Sequence, residues 1–377
     1  MKKILVVSPG YPSHNNIYNN AFVHMRVKNY KKENLEVKVF SYAAGSPYRY
    51  RYEGIDVTVG GIDELRMVLN KNHFSKILLH FAFKAQTKVI IDYINKNEGR
   101  VELLVWVHGV EALAWYRRLF YLNSMSIFKF LGYIVVNIRQ LLFMRKLIIN
   151  KRNRVTFVFV SEWMKRILEK DTLTFGKVSN YKIIPNPIDG SIFNYVPKTR
   201  DDRLKVLSIR PYDSRKYAND LSVKALLELS KTDYFNKFSF IFYGDGKLFN
   251  KTLEPLKKFN NVKIEKRFLN HKEIADLHKK NGILLIPTRQ DAQGVSMCEG
   301  MSSGLVPITS DNTAIPEYTT DKCAYLTKNW KEIKDALIDV YNNGDKYLKM
   351  SKEAEKFIRH KSSLKVALRK EIGLIKR

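Results

Sequence analysis

Two stretches of this chain share one layout: a short apolar run, a polar loop, an amphipathic helical segment, then another apolar run. Apolar runs that alternate with helical patterns become parallel strands, both faces of which are covered by the intervening helices. The first stretch offers strands at 3–8, 36–42, 77–81, 102–107 and 156–160, and the second at 205–209, 238–243, 262–266, 283–287 and 305–309. Between them, Pro185-Asn186-Pro187 forbids a continuous helix or a central strand, because proline has no amide hydrogen to donate. A length of 377 residues suits two domains better than a single core. The expectation is an α/β protein with a first domain over 1–187, a second over 188–350 and a helical end over 351–377.

Lys and Arg number 66 against 37 Asp and Glu, a net charge of +29. An excess of that size implies an anionic partner: nucleic acid, a membrane surface or a phosphorylated substrate. Its location narrows the choice. Over 113–154 the chain carries Arg117, Arg118, Lys129, Arg139, Arg145, Lys146, Lys151, Arg152 and Arg154 among apolar residues, with no acid at all. Phe128, Leu131, Val135, Ile138 and Leu142 recur there at helical spacing. Two readings stay open. The segment lies in an anionic membrane interface, apolar side chains below the headgroups and bases on the phosphates; or it is an ordinary domain helix with a solvated basic face. Nucleic acid is disfavoured, since the bases alternate with aliphatic residues rather than stacking aromatics and no recognised nucleic-acid motif occurs.

Cys298 and Cys323 are too few for a disulfide framework and lack the neighbours of a zinc site. The apolar run after Lys3 is too short for a signal peptide. No stretch reaches the roughly 18 uncharged apolar residues of a membrane-spanning helix. The expected location is the cytoplasm, peripheral at the inner face of the plasma membrane.

Chemistry concentrates between Leu285 and Pro307, where an apolar strand, a polar loop with Gly294 and a helix from Val295 to Gly304 follow one another. Strand, glycine loop and helix N-terminus form an anion site, with free backbone N–H groups and the positive end of the helix dipole aimed at the ligand. Asp291 in the loop and Glu299 in the helix are placed to accept hydrogen bonds from sugar hydroxyls beside a diphosphate. Earlier, Arg210 ends a strand and Lys216 sits in the loop after it. Cations fixed there favour a transition state in which a diphosphate departs and its charge grows.

These residues resemble the Glu-x7-Glu motif of the retaining glycosyltransferase family 4, whose usual pattern is Glu-Gly-Phe-Gly-x4-Glu-Ala-Met-Ala-x-Gly-x-Pro. Asp291 stands for the first Glu, Glu299 for the second, Met301 for the Met, and Gly294, Gly304 and Pro307 for the glycines and proline. By that resemblance Asp291 faces the donor sugar, Glu299 the ribose, and the backbone of Gly294, Val295 and Ser296 the sugar and phosphate. The segment from Arg210 resembles the family's Arg-x4-Lys-Gly element, with Lys216 one position late, so Arg215 is a rival for the lysine's role. Gly244, in a Gly-x-Gly turn, and Phe268 and Leu269 fall where the family meets its nucleotide. Gly10 falls in the loop over the diphosphate, His108 beside the reacting sugar, and Ser161 and Asn186 where they organise the site.

The resemblance implies a GT-B fold, two Rossmann-like β/α/β domains facing each other across a cleft, with the last helix crossing back to the first. It also implies retaining, metal-independent hexosyl transfer without a cofactor, from a UDP- or GDP-sugar to a glycan, a lipid-linked acceptor or a cell-surface polysaccharide. Two alternatives share the fold: a nucleotide-sugar epimerase and a non-catalytic partner protein.

Overall fold

The computed structural model describes residues 3–17, 19–97, 100–123, 125–150 and 155–377. Lys151, Arg152 and Arg154 of the basic segment lie outside the described residues. In chain order the elements are β1 (Lys3–Ser8), α1 (Ala21–Lys32), β2 (Glu36–Tyr42), β3 (Tyr48–Tyr52), β4 (Ile55–Gly60), α2 (Ile62–Asn70), β5 (Lys76–His80), α3 (Lys84–Lys96), β6 (Glu102–Val107), α4 (Ile127–Ile149), β7 (Val155–Phe159), α5 (Glu162–Asp171) and β8 (Tyr181–Ile183). There follow β9 (Lys205–Ile209), α6 (Asn219–Leu229), β10 (Ser239–Gly244), α7 (Phe249–Leu253), β11 (Val262–Lys266), α8 (His271–Lys280), β12 (Ile283–Leu285), α9 (Val295–Ser302), β13 (Val306–Ser310), β14 (Tyr325–Thr327), α10 (Trp330–Asn342), α11 (Gly344–Ser362) and α12 (Leu364–Lys376). Each expected strand is present, some shifted by a residue or two.

The chain divides into two units, one of Met1–Arg117, Gly132–Asn186 and Ala367–Arg377, the other of Arg118–Leu131 and Pro187–Val366. The first holds an eight-stranded sheet in the order β3-β4-β2-β1-β5-β6-β7-β8. All its neighbours run parallel except the β3–β4 hairpin at the edge. The second holds six parallel strands in the order β11-β10-β9-β12-β13-β14. Alternation along each central strand feeds two cores. Val206, Phe240, Phe242 and Ile283 meet Leu226 of α6 and Leu337 of α10 on one face, while Leu207, Leu284 and Ile286 meet Met297 and Met301 of α9 on the other. The strand order reverses between β9 and β12 in this unit and between β1 and β5 in the first. Such switch points leave a crevice beyond the carboxyl ends of the strands, where open α/β sheets take their ligands.

The helical stretch expected over 351–377 is broken in two. Ser363 leaves helical geometry (φ −57°, ψ 153°) because its neighbours pair with the strand-like Ile188: Ile188 N–H donates to the Ser362 carbonyl at 2.8 Å, and Leu364 N–H to that of Ile188 at 2.9 Å. Beyond the break, Ala367 and Ile375 of α12 enter the core of the first unit. Glu371, fully buried, accepts from Arg26 Nε at 2.9 Å and from the Tyr30 hydroxyl at 2.6 Å, and Arg26 Nη2 donates to Asn186 Oδ1 at 3.0 Å.

The basic segment falls largely on α4, whose apolar stripe had two open readings. The apolar stripe of Phe128, Leu131, Val135, Ile138 and Leu142 does not pack inward; each is exposed, Phe128 by 81%. A different face of α4, Phe130, Leu141, Met144, Leu147 and Ile148, is the buried one. By length and composition α4 is long and apolar enough to cross a membrane, although Lys129, Arg139, Arg145 and Lys146 interrupt its apolar run.

Candidate active site

In the second unit the carboxyl ends of the strands gather the candidate residues. Arg210 leaves the end of β9 and Pro287 lies just past the end of β12, so the two flank the switch point. Arg210 Nη2 donates to the Pro287 carbonyl at 3.2 Å. Arg210 is 6% exposed, and its buried Nε has no hydrogen-bond partner among the described residues. Burial pulls its pKa down from the ordinary arginine value; the Asp291 carboxylate, then the phenols of Tyr217 and Tyr212, oppose that pull.

Lys216 is brought beside it. The Arg210 guanidinium carbon lies 4.8 Å from the Tyr217 ring centre and Lys216 Nζ lies 5.4 Å from it, so one aromatic ring meets both cations. The Lys216 carbonyl is held by the Arg289 N–H at 2.8 Å. Arg289 in turn grips Asp220 at 2.7 Å with each terminal nitrogen, fastening the β12–α9 loop to the start of α6. Arg215, the rival, is exposed and instead lines a separate cavity of about 380 Å³ with Lys224 and Lys251.

Gly244 explains how the loops fit so closely. A Cβ there would lie 1.9 Å from the Arg210 carbonyl oxygen, and its φ of 157° disfavours any side chain. The glycine lets the end of β10 press against the turn that presents Arg210. Phe268 stands 53% exposed in the β11–α8 loop, and Leu269 beside it is buried.

The β12–α9 loop takes the strand, glycine loop and helix arrangement anticipated from its residues. Gly294 is the N-cap of α9 in the left-handed region, φ 78°. Asp291 Oδ1 accepts from Gly294 N–H at 2.8 Å and from Gln293 N–H at 3.2 Å. Asp291 thus braces its own loop with one oxygen, a task the motif reading had not given it. Val295 and Ser296 head the helix, where no preceding turn accepts their N–H groups. One turn on, burial pushes the Glu299 carboxyl up from its ordinary 4.5 to about 8.

The first unit assembles a second set at its own switch point. Gly10, with φ 108°, follows β1, and the Asn20 side-chain amide donates to the Pro9 carbonyl at 3.1 Å and the Gly10 carbonyl at 3.3 Å, pinning the loop. His108 follows β6 and its Nε2 lies 3.0 Å from Nδ1 of His80, which ends β5. Burial, then the Arg26 charge, holds His108 well below the usual histidine range, and burial with the neighbouring His108 does the same to His80. Two neutral imidazoles so joined share one N–H, one ring donating and the other accepting. Phe22 and Phe81 flank His108, with ring centres at 4.8 and 4.5 Å; Phe81 sits at φ 63°, a conformation costly for an aromatic residue. Ser161 caps α5 by accepting from Met164 N–H at 3.2 Å, and Asn186 holds Arg26. His80 was not singled out in the sequence, and Tyr217 only as the residue after Lys216; a histidine at the end of β5 and another just after β6 were the available signal for the first.

Residues 195–357 match the family described as glycosyl transferases group 1. No curated protein matches the chain. Among solved structures, sucrose-phosphate synthase from Thermosynechococcus elongatus aligns with a TM-score of 0.74 at 11% identity, over 100% of this chain and 98% of its own. Anabaena HepE, solved with UDP and glucose, aligns at 0.71 and 13% identity over 100% of both chains. TarM aligns at 0.70 and 12% identity, over 100% of this chain and 99% of its own. At such identities the likeness speaks for the fold, which is GT-B. Within that fold, residues 195–357, most of the second unit, are similar to the glycosyl transferases group 1 family.

Proposed function

We propose that the chain is a retaining, metal-independent hexosyltransferase that takes a sugar from a nucleoside diphosphate and delivers it to a lipid-linked or polysaccharide acceptor. The observation that carries this reading is Arg210: a buried cation at the switch point whose Nε has no partner among the described residues. A buried charge left half-satisfied is costly, and a diphosphate would supply the acceptors it lacks. Lys216 adds a second cation, and the head of α9 a third source of positive potential, where other enzymes place a metal ion.

In this reading the acceptor oxygen bonds to the anomeric carbon as the bond from that carbon to phosphate breaks. Its proton passes to the leaving phosphate on the same face, and Arg210 and Lys216 take up the charge that develops. Asp291, through the oxygen not engaged in its loop, and the backbone of Val295 and Ser296 hold the sugar and phosphate. Glu299 holds the ribose, and Phe268 with Leu269 borders the base. His108 is assigned the sugar hydroxyls on the strength of the family resemblance. HepE was also solved with UDP-glucose, which makes that donor the first to try.

The test is a panel of UDP-, GDP- and ADP-sugars, read by nucleotide release and thermal stabilisation, with Glu299→Ala alongside. One donor is expected to stabilise the wild type and not the variant, and turnover is expected to survive EDTA. Donor binding without turnover, over a range of acceptors, would favour the non-catalytic alternative; loss of turnover in EDTA restored by manganese would refute metal independence.

Glu299 sets a pH dependence. Its folded pKa of about 8 is raised above the ordinary 4.5, so its contribution to stability is complete below about 4.5 and is lost as the pH rises through 8. Ribose hydroxyls that donate to the carboxylate draw it toward the ionised form. Nucleotide binding at pH 7 is therefore expected to release close to one proton, seen by calorimetry in buffers of different ionisation enthalpy, and Glu299→Gln should abolish that release.

A further inference from the structure

From the exposed face of α4 we infer that this chain docks on the surface of an anionic phospholipid bilayer, with α4 lying in the plane of the interface. The inference stands on exposure and charge and is independent of the sugar-transfer reading. Phe128, Leu131, Val135, Ile138 and Leu142 form one continuous line of exposed apolar side chains at spacings of three and four along the helix. Exposed apolar faces of this extent mark surfaces that meet something other than water.

Charge decides what covers it. Lys129, Arg139 and Lys146 are exposed on the same helix, and from Leu113 through Asn150 there is no acidic residue. A protein partner would need a matching acidic apolar surface, and a second copy would set these bases against themselves. A lipid surface with anionic headgroups meets both features at once, phosphates on the bases and acyl chains under the stripe.

The inner face of α4 determines orientation. Buried Asn137 accepts from Trp115 N–H at 2.8 Å and donates to the Leu113 carbonyl at 2.9 Å. Gln140 donates to the Ala82 carbonyl at 2.8 Å and accepts from Lys84 N–H at 3.1 Å. Arg145 donates to the carbonyls of Thr172 and Leu173, the latter at 2.5 Å. A helix so bound to folded polypeptide along one side does not thread the bilayer, although its length and composition would allow it. Arg145 also ties α4 to a loop with two further exposed apolar residues, Leu173 and Phe175, 66% and 65% exposed.

The test is flotation of the full chain with vesicles of phosphatidylcholine, alone or with about one-third phosphatidylglycerol, at low and high salt. The variants are Phe128→Ser/Leu131→Ser/Leu142→Ser and Lys129→Ala/Arg139→Ala/Lys146→Ala. All six side chains are exposed, so both should keep the wild-type circular dichroism and donor turnover in solution. The wild type is expected to float with the anionic vesicles at low salt, and each variant to partition at least about tenfold less. Absence of flotation, or an apolar variant that floats like the wild type through charge alone, would overturn the inference. So would sedimentation showing a dimer that the apolar variant dissolves, which would assign the face to a second copy.

Discussion

Arg210→Met should lower the rate of sugar transfer by about two to three orders of magnitude, the cost typical of removing one fixed donor to developing negative charge. The same variant should not lower the thermal midpoint, and is expected to raise it. Arg210 is buried, and among the described residues its Nε lacks a partner and its guanidinium bonds to a carbonyl. A flexible apolar side chain of similar length removes that desolvation penalty while filling the space. Activity and stability then move in opposite directions, the mark of a group held at a site for its chemistry. A variant that loses both together would show that Arg210 is structural and that the diphosphate binds elsewhere. Arg210→Lys keeps the charge but not the planar fork, and should recover only part of the activity.

Glu371→Ala is expected to destabilise the first unit by about 3–5 kcal/mol, because it strands the Arg26 cation in a fully buried position. For a unit of this size that is on the order of a 10 °C fall in the midpoint of its transition, measurable by calorimetry. Arg26→Leu should cost a comparable amount, since among the described residues it leaves the buried carboxylate with the Tyr30 hydroxyl alone. The double variant Arg26→Leu/Glu371→Leu should recover most of the loss, as buried ion pairs replaced by apolar side chains commonly do. Single variants that melt within about 2 °C of the wild type would mean that α12 is held by its apolar contacts alone.

Strands buried on both faces were legible because nothing but a continuous apolar run can fill such a position. The hairpin of β3 and β4 was not: Tyr48 to Tyr52 alternates tyrosine with arginine at an exposed sheet edge, where cross-strand pairing rather than burial holds the strand. The three-residue edge strands β8 and β14 are too short to carry a period. At the candidate site, Asp291, Gly294 and Glu299 could be read as a group because they lie on one continuous strand, loop and helix. His80 and His108 could not, since sheet register sets His80 opposite Trp106 and so brings together residues 28 apart in sequence. That Arg215 is exposed beside another cavity while Lys216 lies near the Tyr217 ring also needed three dimensions. On α4 the apolar period was plain, but the helix carries two apolar faces, and only packing shows which of them the core uses.

The position of α12 has a consequence for synthesis on the ribosome. Residues 187–366 can close on themselves, with 118–131, as soon as they clear the exit tunnel, whereas the first unit lacks a piece of its core until Ala367 and Ile375 follow. The sheet made first is therefore finished last, and through the interval its apolar surface opposite α12 stays uncovered. Chains released before residue 367 should be targets for chaperones and proteases even though their family-matched unit is complete.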